Sequence, residues 1–219
     1  MKSRKRGVRK EDEFLSTMEK VMKFIVRHRE TAIFVGISFV VGCGLLVYFL
    51  SQGEKENPQA EILQTQAIGM LSVGRLQDAE KVLVQLTETF QNTRPGKIGL
   101  YYLGVIKYHS GKFAEALDYF DKFLALQKRD YLLVPSALFG AACAAEGLKD
   151  YERALGYYRK LIKDKESKFY LMGLLAYGRV NGILGHTDEA RRALNELLKK
   201  DPPRSISADA RFYLGYFNK

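Results

Sequence analysis

Hydrophobic and polar positions fall into three regimes along the chain. From Phe14 to Val26, apolar residues recur at Phe14, Leu15, Met18, Val21, Met22, Ile25 and Val26, one face of a helix, while Lys20, Lys23 and Arg27 take the other face. Thr31 to Leu50 then runs for twenty residues without a charge. At 1.5 Å per residue such a helix reaches roughly 30 Å, the thickness of a bilayer core, so the pattern predicts a transmembrane helix. After a polar linker over 51–59, broken by Gly53 and Pro58, the apolar positions return to helical spacing and stay there to the C-terminus.

The third regime repeats. Gly74-Arg75-Leu76-Gln77-Asp78-Ala79, Gly111-Lys112-Phe113-Ala114-Glu115-Ala116, Lys149-Asp150-Tyr151-Glu152-Arg153-Ala154 and Gly185-His186-Thr187-Asp188-Glu189-Ala190 align with one another. Their closing alanines are 37, 38 and 36 residues apart. An apolar helical pattern precedes and follows each one, which predicts a helix, a tight turn and a second helix, repeated. The fold class expected is all-α: one N-terminal membrane helix, then a solenoid of about four helical hairpins and a C-terminal helix.

Charge sharpens this division. Ten basic residues precede the apolar run, against only Lys55 and Arg75 in the thirty positions after it. The bias predicts a cytoplasmic N-terminus, with everything beyond residue 50 across the membrane. Residues 1–30 carry ten basic and five acidic side chains, and residues 51–219 carry 25 and 20. Half of the +10 excess is therefore concentrated in a short tail, expected to meet anionic lipid together with the amphipathic helix and the span, residues 14–50. The other half is diluted over the repeats, which argues against nucleic acid as a partner. A cleaved signal peptide ending near Ser51-Gln52-Gly53 fits the long basic tail poorly. A lipidated Cys43 would need a polar tether where Gly44 to Leu50 stay apolar.

No catalytic constellation is visible. His28, His109 and His186 make no metal pair, so no metal or cofactor is expected. Cys143 lies in an apolar stretch with no evident base, and two cysteines in all exclude a disulfide framework. Glu115, Asp118 and Asp121 line one helix, a spacing that ordinarily marks a solvated face.

The repeated residues resemble the tetratricopeptide repeat family, whose unit is a 34-residue helical hairpin. The family's Leu-Gly pair is matched by Leu103-Gly104, Leu214-Gly215 and, less closely, Tyr177-Gly178, its small crossing residue by Ala79, Ala116, Ala154 and Ala190, and its closing Pro by Pro202. The resemblance covers roughly 60–219, with lengthened loops between hairpins and no Trp where the family often has one. It implies a protein-binding groove lined by first helices, through repeat positions 5 and 9. With repeats starting at 60, 97, 135, 171 and 208, position 5 is Gln64, Tyr101, Phe139, Leu175 and Phe212, and position 9 is Ile68, Val105, Cys143, Arg179 and Tyr216. That line is apolar and aromatic with one cation, which suits an exposed hydrophobic segment better than a peptide carboxylate. Each position could instead be core, because a one-residue shift in register exchanges the two.

The order of a basic tail with an acidic patch at Glu11-Asp12-Glu13, an amphipathic helix, one span and degenerate repeats is similar to the bacterial inner-membrane YfgM-like family. That resemblance implies a periplasmic repeat domain ancillary to the SecYEG translocon, with translocon subunits, periplasmic chaperones or secreted clients as partners. A scaffold that assembles an envelope complex without a client groove is the alternative. The last segment, Ala208 to Phe217, reads as a first helix without its second. It should either fold back as a cap or make a dimer or partner contact, since solenoid ends are normally polar.

Overall fold

The computed structural model describes residues 27, 29–51 and 57–217. Ten helices and no strand occur among them. The chain divides into two units, Met1–Gly53 and Glu54–Lys219. The expected basic tail and its amphipathic helix lie outside the described residues, apart from the last few positions.

In the first unit, the uncharged run is helical throughout as α1, Arg29–Ser51. Phe34, Ile37, Phe39, Val40, Val41, Leu45 and Leu46 are all exposed along it. Counted over the described side chains, no helix is long and apolar enough to cross a membrane. Side chains 31–33, 35–36 and 47–50 of the uncharged run fall outside that set.

The second unit is an α-solenoid. Its hairpins are α2 (Pro58–Ser72) with α3 (Leu76–Thr89), α4 (Arg94–His109) with α5 (Phe113–Leu126), α6 (Leu133–Gly147) with α7 (Tyr151–Leu161), and α8 (Tyr170–Ile183) with α9 (Thr187–Leu198). A single helix, α10 (Arg204–Tyr216), follows.

The same turn closes every hairpin. Its central residue has positive φ: Gly74 (76°), Gly111 (73°), Lys149 (61°) and Gly185 (80°). The next amide then donates back to the carbonyl five residues earlier, Arg75 to Met70 at 2.9 Å, Lys112 to Lys107 at 2.9 Å, Asp150 to Ala145 at 2.9 Å and His186 to Asn181 at 2.8 Å. This is the Schellman arrangement, which satisfies carbonyls a helix end would otherwise leave unpaired. Glycine reaches that backbone region without steric cost, whereas Lys149 lacks this freedom.

Helix starts are marked by local chemistry as well. The side chain of Asn57 accepts the amides of Gln59 and Ala60 at 3.0 and 3.2 Å ahead of Pro58. Thr93 accepts the Gly96 amide at 3.1 Å, and Asp150 that of Arg153 at 3.1 Å. Such caps contribute about 1 kcal/mol each.

The four repeat alanines, Ala79, Ala116, Ala154 and Ala190, are completely buried. They sit where paired helices cross and let the backbones approach. Phe120 shows the complement of this small-residue rule. A methyl group added at Gly104 would lie 2.8 Å from its ring, and one at Gly140 would lie 2.6 Å from it. The ring of α5 is thus wedged against bare backbone of both α4 and α6. Burying a side chain of this kind stabilises by about 2 to 3 kcal/mol.

Two acidic residues on α5 prove to be more than a solvated face. Lys107, buried on α4, pairs with Glu80 of α3 at 3.0 Å and with Glu115 of α5. Its hydrogen bond to Glu115, then that to Glu80, raises the ammonium well above the ordinary lysine range. Asp121 accepts Tyr157 Oη at 2.6 Å and Arg153 at 2.7 Å, tying α5 to α7. Helical spacing places carboxylates on one face, but only tertiary packing brings a cation from another helix to them.

Candidate functional site

The first helices do not form one uniform layer. α2, α4 and α6 lie side by side, and so do α8 and α10. Between α6 and α8 direct backbone approach falls away, and α7 and side-chain bridges make the connection. The connecting segment there, 162–169, is the longest between hairpins among the described residues.

Two bridges cross this step. Phe139 of α6 faces Phe169, just ahead of α8, with ring centroids 6.1 Å apart. Phe139 also meets Tyr158 edge-on at 5.9 Å. Second, Arg179 of α8 donates to Glu146 Oε1 at 2.8 Å, and the same oxygen accepts Tyr158 Oη at 2.6 Å. The Glu146 side chain is 14% exposed and that of Arg179 26%. Cys143 Sγ lies 3.6 Å from Tyr158 Oη. A polar chain therefore runs Cys143, Tyr158, Glu146, Arg179, linking α6, α7 and α8.

The electrostatics make this chain neutral and chemically quiet. Burial pushes the Cys143 thiol up, which disfavours the thiolate that nucleophilic chemistry requires. Burial likewise drives the Tyr158 hydroxyl upward, so it stays a proton donor. The one cation expected on the groove is compensated, because Glu146 occupies the Arg179 guanidinium. No group of three or more potential metal ligands occurs among the described residues.

The ten predicted positions separate accordingly. Tyr101, Val105 and Phe139 are half-buried and border the central core. Tyr101 contacts Phe120 and Phe123 at 6.1 and 5.8 Å, and its hydroxyl lies 2.7 Å from Ser136 Oγ. Leu175 borders the C-terminal core, while Cys143 and Arg179 meet in the polar chain. Gln64 is half-buried and Ile68 exposed on α2. Phe212 and Tyr216 are 65% and 62% exposed on α10, stacked on each other at 6.2 Å. The middle of the line is thus part groove and part packing, and its ends are open.

Periodicity alone missed Tyr108, Glu146, Phe169 and the exposed Met172. The stripe through positions 5 and 9 continues one turn each way to 108, 146 and 172, so three of these were within reach. Phe169 precedes its helix and carries no such signal. A depression of about 440 Å³ between α3 and α5, lined by Val84, Thr87, Leu100, Tyr119, Lys122 and Leu126 among others, includes none of the ten positions.

Residues 98–130, 136–164 and 184–218 each match a tetratricopeptide repeat model. Among solved structures, the chain is similar to YrrB, a tetratricopeptide protein with an unusual peptide-binding site, at 19% identity and TM-score 0.59, over 71% of this chain and 74% of that one. It is similar to a MamA RS-1 double mutant at 16% identity and TM-score 0.62, covering 75% and 85%. A putative kinesin light chain repeat protein from Podosopora anserina matches at 16% identity and TM-score 0.58, covering 74% and 87%. Among curated proteins, none matches the chain in sequence. At these identities the likeness establishes the fold, a solenoid of tetratricopeptide repeats.

Proposed function

We propose that this chain of tetratricopeptide repeats is a membrane-anchored protein-binding module whose site is the step between α6 and α8. The observation carrying this reading is the pairing of an aromatic wall, Phe139 and Phe169, with a charge-compensated polar chain through Glu146 and Arg179. A half-buried aromatic surface whose polar groups already have partners favours an apolar or aromatic side chain over a charged terminus. The ligand is therefore an exposed hydrophobic protein segment, and no catalytic step is assigned.

The anchor is the helix through Thr31–Leu50. Within a bilayer a helix satisfies all its backbone groups internally, and the exposed Phe34, Phe39 and Leu46 would face lipid rather than water. The basic residues before it keep the N-terminus cytoplasmic and set the repeats on the opposite side. By its order of parts the chain acts in a bacterial inner membrane, with a periplasmic repeat domain handling clients or chaperones beside the translocon.

A photocrosslinking residue placed at Phe169 or Met172 is expected to trap protein partners in cells, and one at exposed Glu152 is not. Equal trapping from all three positions would remove the site from the α6–α8 step. Alkaline carbonate extraction should leave the full chain in the membrane pellet, and its release would overturn the anchor. Translocon subunits among the trapped partners would support the finer reading; a stable set of envelope proteins without clients would replace it with a scaffold.

A further inference from the structure

The basic excess of residues 51–219 is not spread evenly once the chain is folded. Stacked antiparallel hairpins put their tight turns along one edge of the solenoid and the segments that connect hairpins along the other. Taken with three residues on either side, the four connecting segments hold eleven basic and six acidic side chains, and the four turns hold five and seven. The excess therefore falls on the connecting edge, and the turn edge is weakly acidic. Along the sequence the two kinds of segment alternate, which hides the asymmetry.

The charge is densest where the segments 127–132 and 162–169 border one depression. Lys128, Arg129, Lys160, Lys163 and Lys168 are all exposed there. Among the described residues, Lys165 alone in this stretch forms an ion pair, with Glu196 at 3.7 Å. Two nearby acids are engaged by backbone. Asp130 accepts the amides of Leu132 and Leu133 at 2.9 and 2.7 Å, and Asp164 accepts that of Glu166 at 3.1 Å. They shape the loops and leave the cations without a carboxylate in contact.

Apolar groups share this edge. Tyr131 is 85% exposed and Leu132 43% exposed in the same segment as Lys128 and Arg129. The depression beside them, about 570 Å³, lies between the start of α6 and the end of α7. Val134, Leu138 and Leu161 line it together with Lys128, Arg129 and Lys160. Cations, an open aromatic ring and an apolar hollow thus occur within one patch.

We propose that this edge docks on an anionic bilayer surface, with its lysines and arginines at the headgroup phosphates and Tyr131 and Leu132 in the interfacial layer. A bilayer offers both chemistries at one surface, phosphate at the depth of the cations and hydrocarbon just below. A nucleic acid or an acidic protein segment would answer the charge and leave the apolar tip in water. Lysines outnumber arginines in this stretch, and their long flexible stems suit a fluid array of headgroups. A fixed phosphate or carboxylate is ordinarily held by oriented arginine forks instead. Because the helices run from one edge to the other, such docking stands them up from the membrane and leaves the α6–α8 step open to the side. Neither the client site nor the α1 anchor is needed for this contact.

A solvent-sensitive fluorescent residue at Tyr131, or at Lys149 on the opposite edge, reports the contact in the full chain. The labelled chain is combined with bilayer nanodiscs of phosphatidylcholine alone or with about a third phosphatidylglycerol. Emission at 131 is expected to shift to the blue and rise about twofold with the anionic lipid only, and to revert at about 0.5 M salt, while emission at 149 stays unchanged. Lys128→Glu, Arg129→Glu and Lys160→Glu combined should lower the docked-to-undocked ratio by about a hundredfold or more, at roughly fivefold for each cation lost, which abolishes the shift. Circular dichroism checks the fold of the triple variant, and the lipid and salt comparisons decide the matter without it. Equal emission in both lipids, equal change at 131 and 149, or a shift that survives the triple reversal in a folded chain would overturn the proposal. A response at 131 to a DNA duplex or polyglutamate, with none to anionic lipid, would overturn it too and assign the edge to that polyanion. Carbonate extraction reads the α1 anchor separately, so a chain that is released by carbonate yet shows the lipid response fails the anchor and keeps this edge.

Discussion

The hairpins α4–α5 and α6–α7 and the lone helix α10 start from the same repeat pattern and end in opposite surroundings. In the centre, Gly104 and Gly140 clasp Phe120, which is only 2% exposed. At the end, Gly215 has an empty seat and Phe212 is 65% exposed. The repeat pattern alone therefore specifies a docking geometry, and the next element along the chain decides whether it is filled. Gly104 and Gly215 hold the same place in their repeats, yet one is buried against a ring and the other is exposed.

Aromatic truncation should separate the two regions most strongly. Phe120→Ala is expected to cost about 3 to 5 kcal/mol, because the space between two glycine backbones cannot collapse. Phe212→Ala should change stability by less than about 0.5 kcal/mol when measured at concentrations where the chain is monomeric. Urea unfolding of both variants checks this, and equal losses would refute the distinction. Next in size is the polar chain. Glu146→Ala leaves Arg179 and the Tyr158 hydroxyl without their acceptor in a mostly buried site, at a cost of about 2 to 3 kcal/mol. Hydrogen exchange should locate the loosening at the α6–α8 step and leave α2 and α3 protected. The smallest effect is the sharpest in sign. Gly104→Ala should destabilise because its methyl strikes the Phe120 ring, whereas Gly215→Ala should stabilise the monomer by up to about 1 kcal/mol through helix propensity. Thermal unfolding shifts in opposite directions would confirm it, and shifts in the same direction would contradict it.

Much of the fold was legible. The alanines 37, 38 and 36 residues apart are all fully buried, and the glycine turns adopt the positive φ that glycine favours. Even the lysine standing in the third turn keeps that conformation, because the flanking helices over-determine it. The turns within hairpins hold at three residues, but the spacing does not follow the segments between hairpins: the longest, 162–169, falls in the shortest spacing because the helix before it, α7, is short. The candidate site was legible in its outline only. Tyr101 and Phe139 were open to either groove or core from their register, and both prove to serve packing while retaining an exposed part. Arg179 stood out as the one cation of the line, and its partner Glu146 was not legible because it lies 33 residues away in sequence. Phe169 was missed because it belongs to a connecting segment with no periodicity.

The sequence by itself determined helix type, turn position and which face of each helix is apolar. These depend on interactions within a few residues: backbone sterics at the turns, 3.6-residue spacing along the helices and small side chains at the crossings. Only the tertiary structure decided that α6 and α8 draw apart, that Glu146 neutralises Arg179, and that Phe217 packs against the C-terminal core while Phe212 stays exposed. Those outcomes turn on how far one hairpin sits from the next, a distance set by connecting segments of unequal length and by side chains that meet only once the helices are stacked.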